Sequence, residues 1–172
     1  MESKVKLFGH PIHQMLVPIP FGLLVISVLF DVACLVTGRV GLATVSYVDI
    51  LAGIAGGLVA AVFGLLDFLH IPSGTRAKRI GILHAGANVL AIGMFAIAVG
   101  LRYDAPGFLP GKAALILEVV AIVLASVGGW LGGELVDRLG VGVDDDADLD
   151  APSSLRKSAV PVRVRSRTTR RR

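Results

Sequence analysis

The chain has 172 residues, of which 54% are hydrophobic and only 17% charged, with a mean hydropathy of +0.76 and a formal net charge of +4. Soluble domains carry charge on about a quarter of their residues, so this composition excludes an ordinary water-soluble fold, and the length leaves room for one domain without a separate catalytic module. Cys34 is the sole cysteine, which excludes an internal disulfide and dithiol chemistry within one chain; a small apolar core residue is its expected role.

Lys4 and Lys6 precede the first apolar stretch, Met15 to Val36. A secretory signal has an apolar region of roughly 7 to 15 residues, whereas this stretch runs on to Val36 with Asp31 as its only charge, so a retained helix is expected. Further stretches follow at Val48 to His70, Ile80 to Gly100 and Ala113 to Val136. Each has about the 20-residue length that an apolar helix needs to cross a hydrocarbon core. The predicted fold is all-α: an integral membrane four-helix bundle, up-down-up-down, over residues 1–143, with a disordered tail over 144–172.

With that topology the N-terminus, the second connection and the exit of the fourth helix share one side, which carries Lys4, Lys6, Arg76, Lys78, Arg79 and Arg138. The other side has Arg39, Arg102 and Lys112. The positive-inside rule places both termini in the cytoplasm, with the protein in the cell inner membrane. The tail changes sign, from Asp144, Asp145, Asp146, Asp148 and Asp150 to an arginine-rich end from Arg156 to Arg172, and lacks helical periodicity. Two readings of that end stand side by side: a polybasic segment held near anionic lipid headgroups, and a solvated tail that enforces topology. Nucleic-acid binding is not expected of it.

The same topology brings all four histidines, His10, His13, His70 and His84, to the cytoplasmic face. Polar side chains at membrane depth are costly and therefore informative. His10 and His13 stand at the mouth of the first helix, with Pro11 expected as its first residue and Pro18 and Pro20 expected to bend it. The second helix carries Asp67 and His70 three residues apart, below a stripe of small residues, Gly53, Gly57, Ala60 and Gly64, that permits close helix approach and directs Asp67 inward. The third supplies His84 and Asn88 one turn apart. The fourth supplies a second small-residue stripe, Ala125, Gly129 and Gly133, with Glu134 on a neighbouring face. Toward the opposite face lie Asp31, Asp49 and Glu118, with Arg39 and Arg102 nearby, for which interfacial ion pairing is the simplest expectation.

Several motifs together carry a resemblance: His-Pro-x-His at His10 to His13 before an apolar run with prolines and Gly22, the aspartate of the first helix, GLLDFLH from Gly64 to His70 followed by Thr75 and Arg76, HAGAN from His84 to Asn88, and GGELVDRLGVGV from Gly132 to Val143. Over roughly Leu7 to Val143 the chain resembles a family of bacterial four-helix membrane proteins catalogued as domain of unknown function 2231. The resemblance implies an integral membrane domain without an established activity, some of whose relatives are joined to or near Rieske-type iron-sulfur domains. A Rieske centre needs two cysteines and two histidines, and a single cysteine cannot supply it.

Three functional readings fit. In the first, His13, His70 and His84, with His10, bind haem b or a transition metal between helices, as inward histidines of four-helix bundles do, while Asp67 or Asn88 orients a ring; a bare ion would use His10, His13, His84, Asp67 and Glu134. A membrane redox partner goes with this reading. In the second, the polar layer fixes helix packing in a structural or scaffold protein. In the third, Asp67, His70 and His84 relay protons toward Asp31 or Glu118 in a small transporter or accessory subunit, which four helices could serve only as an oligomer. No phosphate loop, HExxH, nucleophile elbow or CxxC pair is found, and an enzymatic role is not expected.

Overall fold

The computed structural model describes residues 1–155; the arginine-rich end of the tail lies outside the described residues. Among the described residues, four helical spans are long and apolar enough to cross a membrane: Ile12–Thr37, Gly41–Leu69, Arg76–Arg102 and Pro106–Arg138. The first comprises α1 (Ile12–Leu16) and α2 (Pro18–Thr37); the next two are α3 (Gly41–Leu69) and α4 (Arg76–Arg102). The fourth contains α5 (Lys112–Gly133) and ends in a wider π-turn, Glu134–Arg138. Large aliphatic side chains stand on the outside, such as Val36 at 80% and Val89 at 69% exposure. Such a surface is stable against lipid tails and not in water.

The helices exceed the apolar stretches at most ends because local signals extend them. Thr75 accepts a hydrogen bond from the Lys78 amide and starts α4 one turn before the apolar run. Gly38, at φ 70°, ends α2 in the left-handed conformation that glycine adopts without strain, and its amide reaches the Cys34 carbonyl at 2.8 Å. The N-terminus differs from expectation. Pro11 is extended and precedes the first helical residue, Ile12, because His10–Pro11 (β2) pairs antiparallel with Lys6–Leu7 (β1) across a Phe8-Gly9 turn. Both turn residues have positive φ, 51° and 85°, as a tight hairpin requires. Pro18 and Pro20 bring no amide hydrogen to the first span, yet the chain stays helical through Val17.

A three-residue link joins α2 to α3, so these helices pack as an antiparallel hairpin; α4 and α5 form the second. The two hairpins bury matching positions. A shift of 71 residues carries Asp31 to Arg102, and the same shift carries His13, Pro20, Leu24 and Ser27 to His84, Ala91, Phe95 and Ala98. From Pro20 and Ala91 onward every member of both series is buried. One constant shift likewise takes Ser46, Ile50, Gly53 and Ala60 of α3 to Ala114, Glu118, Ala121 and Gly128 of α5, all buried. The bundle therefore has the burial pattern of two parallel repeats about an axis along its length. Its apolar core, Leu24, Val28, Ile50, Ala91, Phe95, Ala121 and Ala125, occupies the middle and separates two polar layers.

Candidate functional site

The layer nearer the termini is built around His13 and His84. The first turn of α1 lays the His13 ring against α3, where Nδ1 is 2.8 Å from the Ala60 carbonyl. Gly64 makes the room, since a Cβ there would come within 2.7 Å of His13 Cε1. The second hairpin repeats the arrangement. His84 Nδ1 is 2.8 Å from the Gly128 carbonyl, and a Cβ on Gly132 would stand 3.2 Å from His84 Cε1. In each hairpin the accepting carbonyl lies four residues before the glycine that clears the ring.

A carbonyl only accepts, so each Nδ1 carries a proton and, in the neutral ring, Nε2 holds a free lone pair. The two rings meet from opposite hairpins with centroids 6.2 Å apart and planes at 88°. Both side chains are half-buried. Asn88 donates to the carbonyl of His84 at 2.8 Å and packs over Gly128, where a Cβ would lie 2.6 Å from its amide nitrogen. The same amide nitrogen lies 3.5 Å from His84 Nδ1.

The opposite layer centres on Arg102, the last residue of α4. Arg102, Asp31 and Glu118 each have side chains at 0% exposure. Nη1 of Arg102 donates to Asp31 Oδ2 at 2.8 Å and to Glu118 Oε1 at 2.7 Å, and Nη2 donates to Asp31 Oδ1 at 2.9 Å and to the Ala43 carbonyl at 3.0 Å. Ser46 adds a 2.6 Å hydrogen bond to Asp31 Oδ2. Arg102 Nε reaches the Phe108 carbonyl at 2.9 Å, and the Phe108 ring stacks on Tyr47 at 4.1 Å, closing the layer from outside. A guanidinium fork matched to a carboxylate in this way is the strong, directional form of ion pair.

The family comparison agrees with this architecture. A family model described as "Predicted membrane protein (DUF2231)" matches residues 9–145. The chain belongs to that family. No curated protein and no solved structure matches it.

In this DUF2231 protein the histidines expected to act together divide. His70 caps α3 on the exposed surface and turns Nδ1 back to the Leu66 carbonyl of its own helix at 2.7 Å. His10 is exposed in β2, 3.4 Å from Ser154 Oγ. Asp67 serves the N-terminal segment instead of an imidazole, accepting from Ser3 Oγ at 2.8 and 2.9 Å and from the Lys4 amide at 2.8 Å. Glu134 faces Arg76 at 3.4 Å. Among the described residues no three His, Cys, Asp or Glu side chains gather as a metal group, so His10, His13, His84, Asp67 and Glu134 do not assemble as one ligand set.

At the other end Asp31 and Glu118 meet, whereas Asp49 is half-buried and makes no side-chain hydrogen bond among the described residues. Arg102, expected as a flanking interfacial charge, is the centre of the layer because α4 continues two residues beyond Gly100. Ser46 and the Tyr47–Phe108 cover were not expected. The signal that points to Arg102 is the repeat: it follows His84 by the interval that separates Asp31 from His13. The close-packing row of α5 also differs from expectation. Among the described residues Gly129 and Gly133 have no neighbouring helix against them, and Gly128 and Gly132 make the contacts.

Proposed function

We propose that this membrane protein holds a transition-metal centre, haem iron or a bare ion, between His13 and His84, in a redox-associated role at the cytoplasmic side of the inner membrane. The observation that carries the reading is the pair of Nδ1 contacts to the Ala60 and Gly128 carbonyls. Histidines that bind metal almost always donate their other ring N–H to a carbonyl or carboxylate, which fixes the ring and leaves Nε2 as the ligand. Two imidazoles facing each other across one ion, each nitrogen about 2.0–2.1 Å from it, have ring centres roughly 6 Å apart; the observed separation is 6.2 Å. Two protein ligands leave further coordination positions free for an exchangeable group. The lysines and arginines at this end support the cytoplasmic assignment, and the arginine-rich end supplies charge suited to anionic headgroups.

The test is purification from membranes in mild detergent, followed by oxidised and dithionite-reduced visible spectra and elemental metal analysis. Haem iron gives a Soret band that shifts on reduction; a bare ion gives stoichiometric metal without that band. His13→Ala and His84→Ala should each lose the signal while His70→Ala keeps it. A colourless, metal-free protein whose melting temperature does not respond to added Zn²⁺, Cu²⁺ or Co²⁺ would sink this reading and leave the pair as a device that fixes helix packing.

A further inference from the structure

The opposite layer holds one more acid than its cation can balance. Two carboxyls, Asp31 and Glu118, share the single guanidinium of Arg102, and all three side chains are fully buried. Both Asp31 oxygens accept from Arg102, and Oδ2 also accepts from Ser46. Among the described residues Glu118 receives only one bond, on Oε1, and its Oε2 is buried without a partner. The Glu118 and Asp31 carboxyls are drawn to the same nitrogen, Nη1 of Arg102, at 2.7 and 2.8 Å. Among the described residues the remaining polar groups packed on the layer, from α3 and the connection after α4, are Ser46, Tyr47 and the carbonyls of Ala43 and Phe108, and none is a cation.

The repeat makes the imbalance specific. Asp31 and Arg102 are equivalent positions whose charges cancel, while the position in α3 equivalent to Glu118 is the apolar Ile50. Glu118 is thus a carboxyl added to a site already neutral. A second unpaired negative charge at this depth is far costlier than a neutral acid, and two carboxyls that share one guanidinium nitrogen do not both ionise readily.

We propose that Glu118 binds an exchangeable proton on Oε2 at neutral pH, making this layer a proton site separate from the histidine pair. Release breaks only the O–H bond and passes the proton to water at the end of the bundle that Phe108 and Tyr47 cover; uptake is the reverse.

The measurement is infrared difference spectroscopy of the full chain in liposomes at neutral pH, in H₂O and D₂O, reading the C=O band of a protonated carboxyl. The band should be present, shift in D₂O, and vanish in Glu118→Gln. It should vanish also in Asp31→Asn, because the one remaining carboxyl then pairs with Arg102 as an ion. Glu118→Gln keeps the shape of the side chain and its neutral form, so its melting temperature should match that of the wild type. A missing band in the wild type, a band unmoved by D₂O, or a band that survives Glu118→Gln would overturn the proposal. A missing band with a sodium-dependent melting temperature would replace the proton by a bound cation.

Discussion

Asp31 and Arg102 occupy equivalent points in the two helical hairpins, and their side chains close a two-pronged ion pair at 2.8 and 2.9 Å through the centre of the bundle. Equivalent residues of a two-fold arrangement meet only on its axis, and His13 with His84 obeys the same rule at the other end. Neither contact joins helices adjacent in the chain. Each ties the first span to the third, and so one hairpin to the other.

Removal of Arg102 leaves two buried acids without their cation. Arg102→Leu should destabilise the detergent-solubilised protein by about 3–5 kcal/mol, read as loss of cooperative thermal unfolding or of folded yield. Asp31→Leu should cost less than Arg102→Leu, since Glu118 then pairs with Arg102 as an ion. Exchanging the charges, Asp31→Arg with Arg102→Asp, should recover folded protein that neither single exchange gives, because the two positions are related by the repeat.

Gly64 and Gly128 should not tolerate a methyl group. A Cβ at these positions would stand 2.7 Å from the His13 ring and 2.6 Å from the Asn88 amide, respectively. Gly64→Ala and Gly128→Ala should each cost about 1–3 kcal/mol, the usual range for overpacking. Gly129→Ala, where no other described group lies within 4 Å of the added methyl, should change stability by less than about 0.5 kcal/mol. Thermal melts of the three variants side by side separate the row of α5 that makes contact from the one that does not.

Asp67 fastens the N-terminal segment to the bundle through Ser3 and the Lys4 amide. Asp67→Ala should release residues 1–7 while the spans stay folded. Faster tryptic cleavage at Lys4 and Lys6 with unchanged helical content is the expected result; unchanged cleavage would contradict the tether.

The same segment has a pH-sensitive clasp. Lys6 bridges Asp144 and Glu2. Its hydrogen bonds to Asp144 and then Glu2 raise the Lys6 ammonium above its ordinary 10.5, so that contribution is complete below 10.5 and is lost as the pH rises through the elevated value. The hydrogen bond from Lys6 holds the Glu2 carboxyl below its ordinary 4.5; that contribution is complete above 4.5 and is lost as the pH falls through the lowered value. The clasp should therefore hold across the neutral range. Protection from hydrogen exchange at Lys6 and Leu7, relative to the unstructured rate at the same pH, should fall below about pH 4.5 in the wild type, and Lys6→Met should show low protection at every pH.

The sequence by itself determined the four spans, their alternation and the end of the bundle at which each polar residue lies, because length and hydropathy are local properties that the bilayer reads directly. It also carried the motifs by which the family resemblance was seen. Which polar residues meet was decided only by tertiary structure. A helix turns about 100° per residue, so a one-residue difference separates Gly128 and Gly132, which touch Asn88 and His84, from Gly129 and Gly133, which touch no neighbouring helix. The same rotation sends His70 to the surface. Arg102 is the clearest case: the sequence shows a charge just beyond an apolar run, where an interfacial position is the default, and only the closing of two hairpins around Asp31 and Glu118 draws it to zero exposure. Burial of that kind depends on partners 71 and 16 residues away in the chain, and no local pattern specifies them.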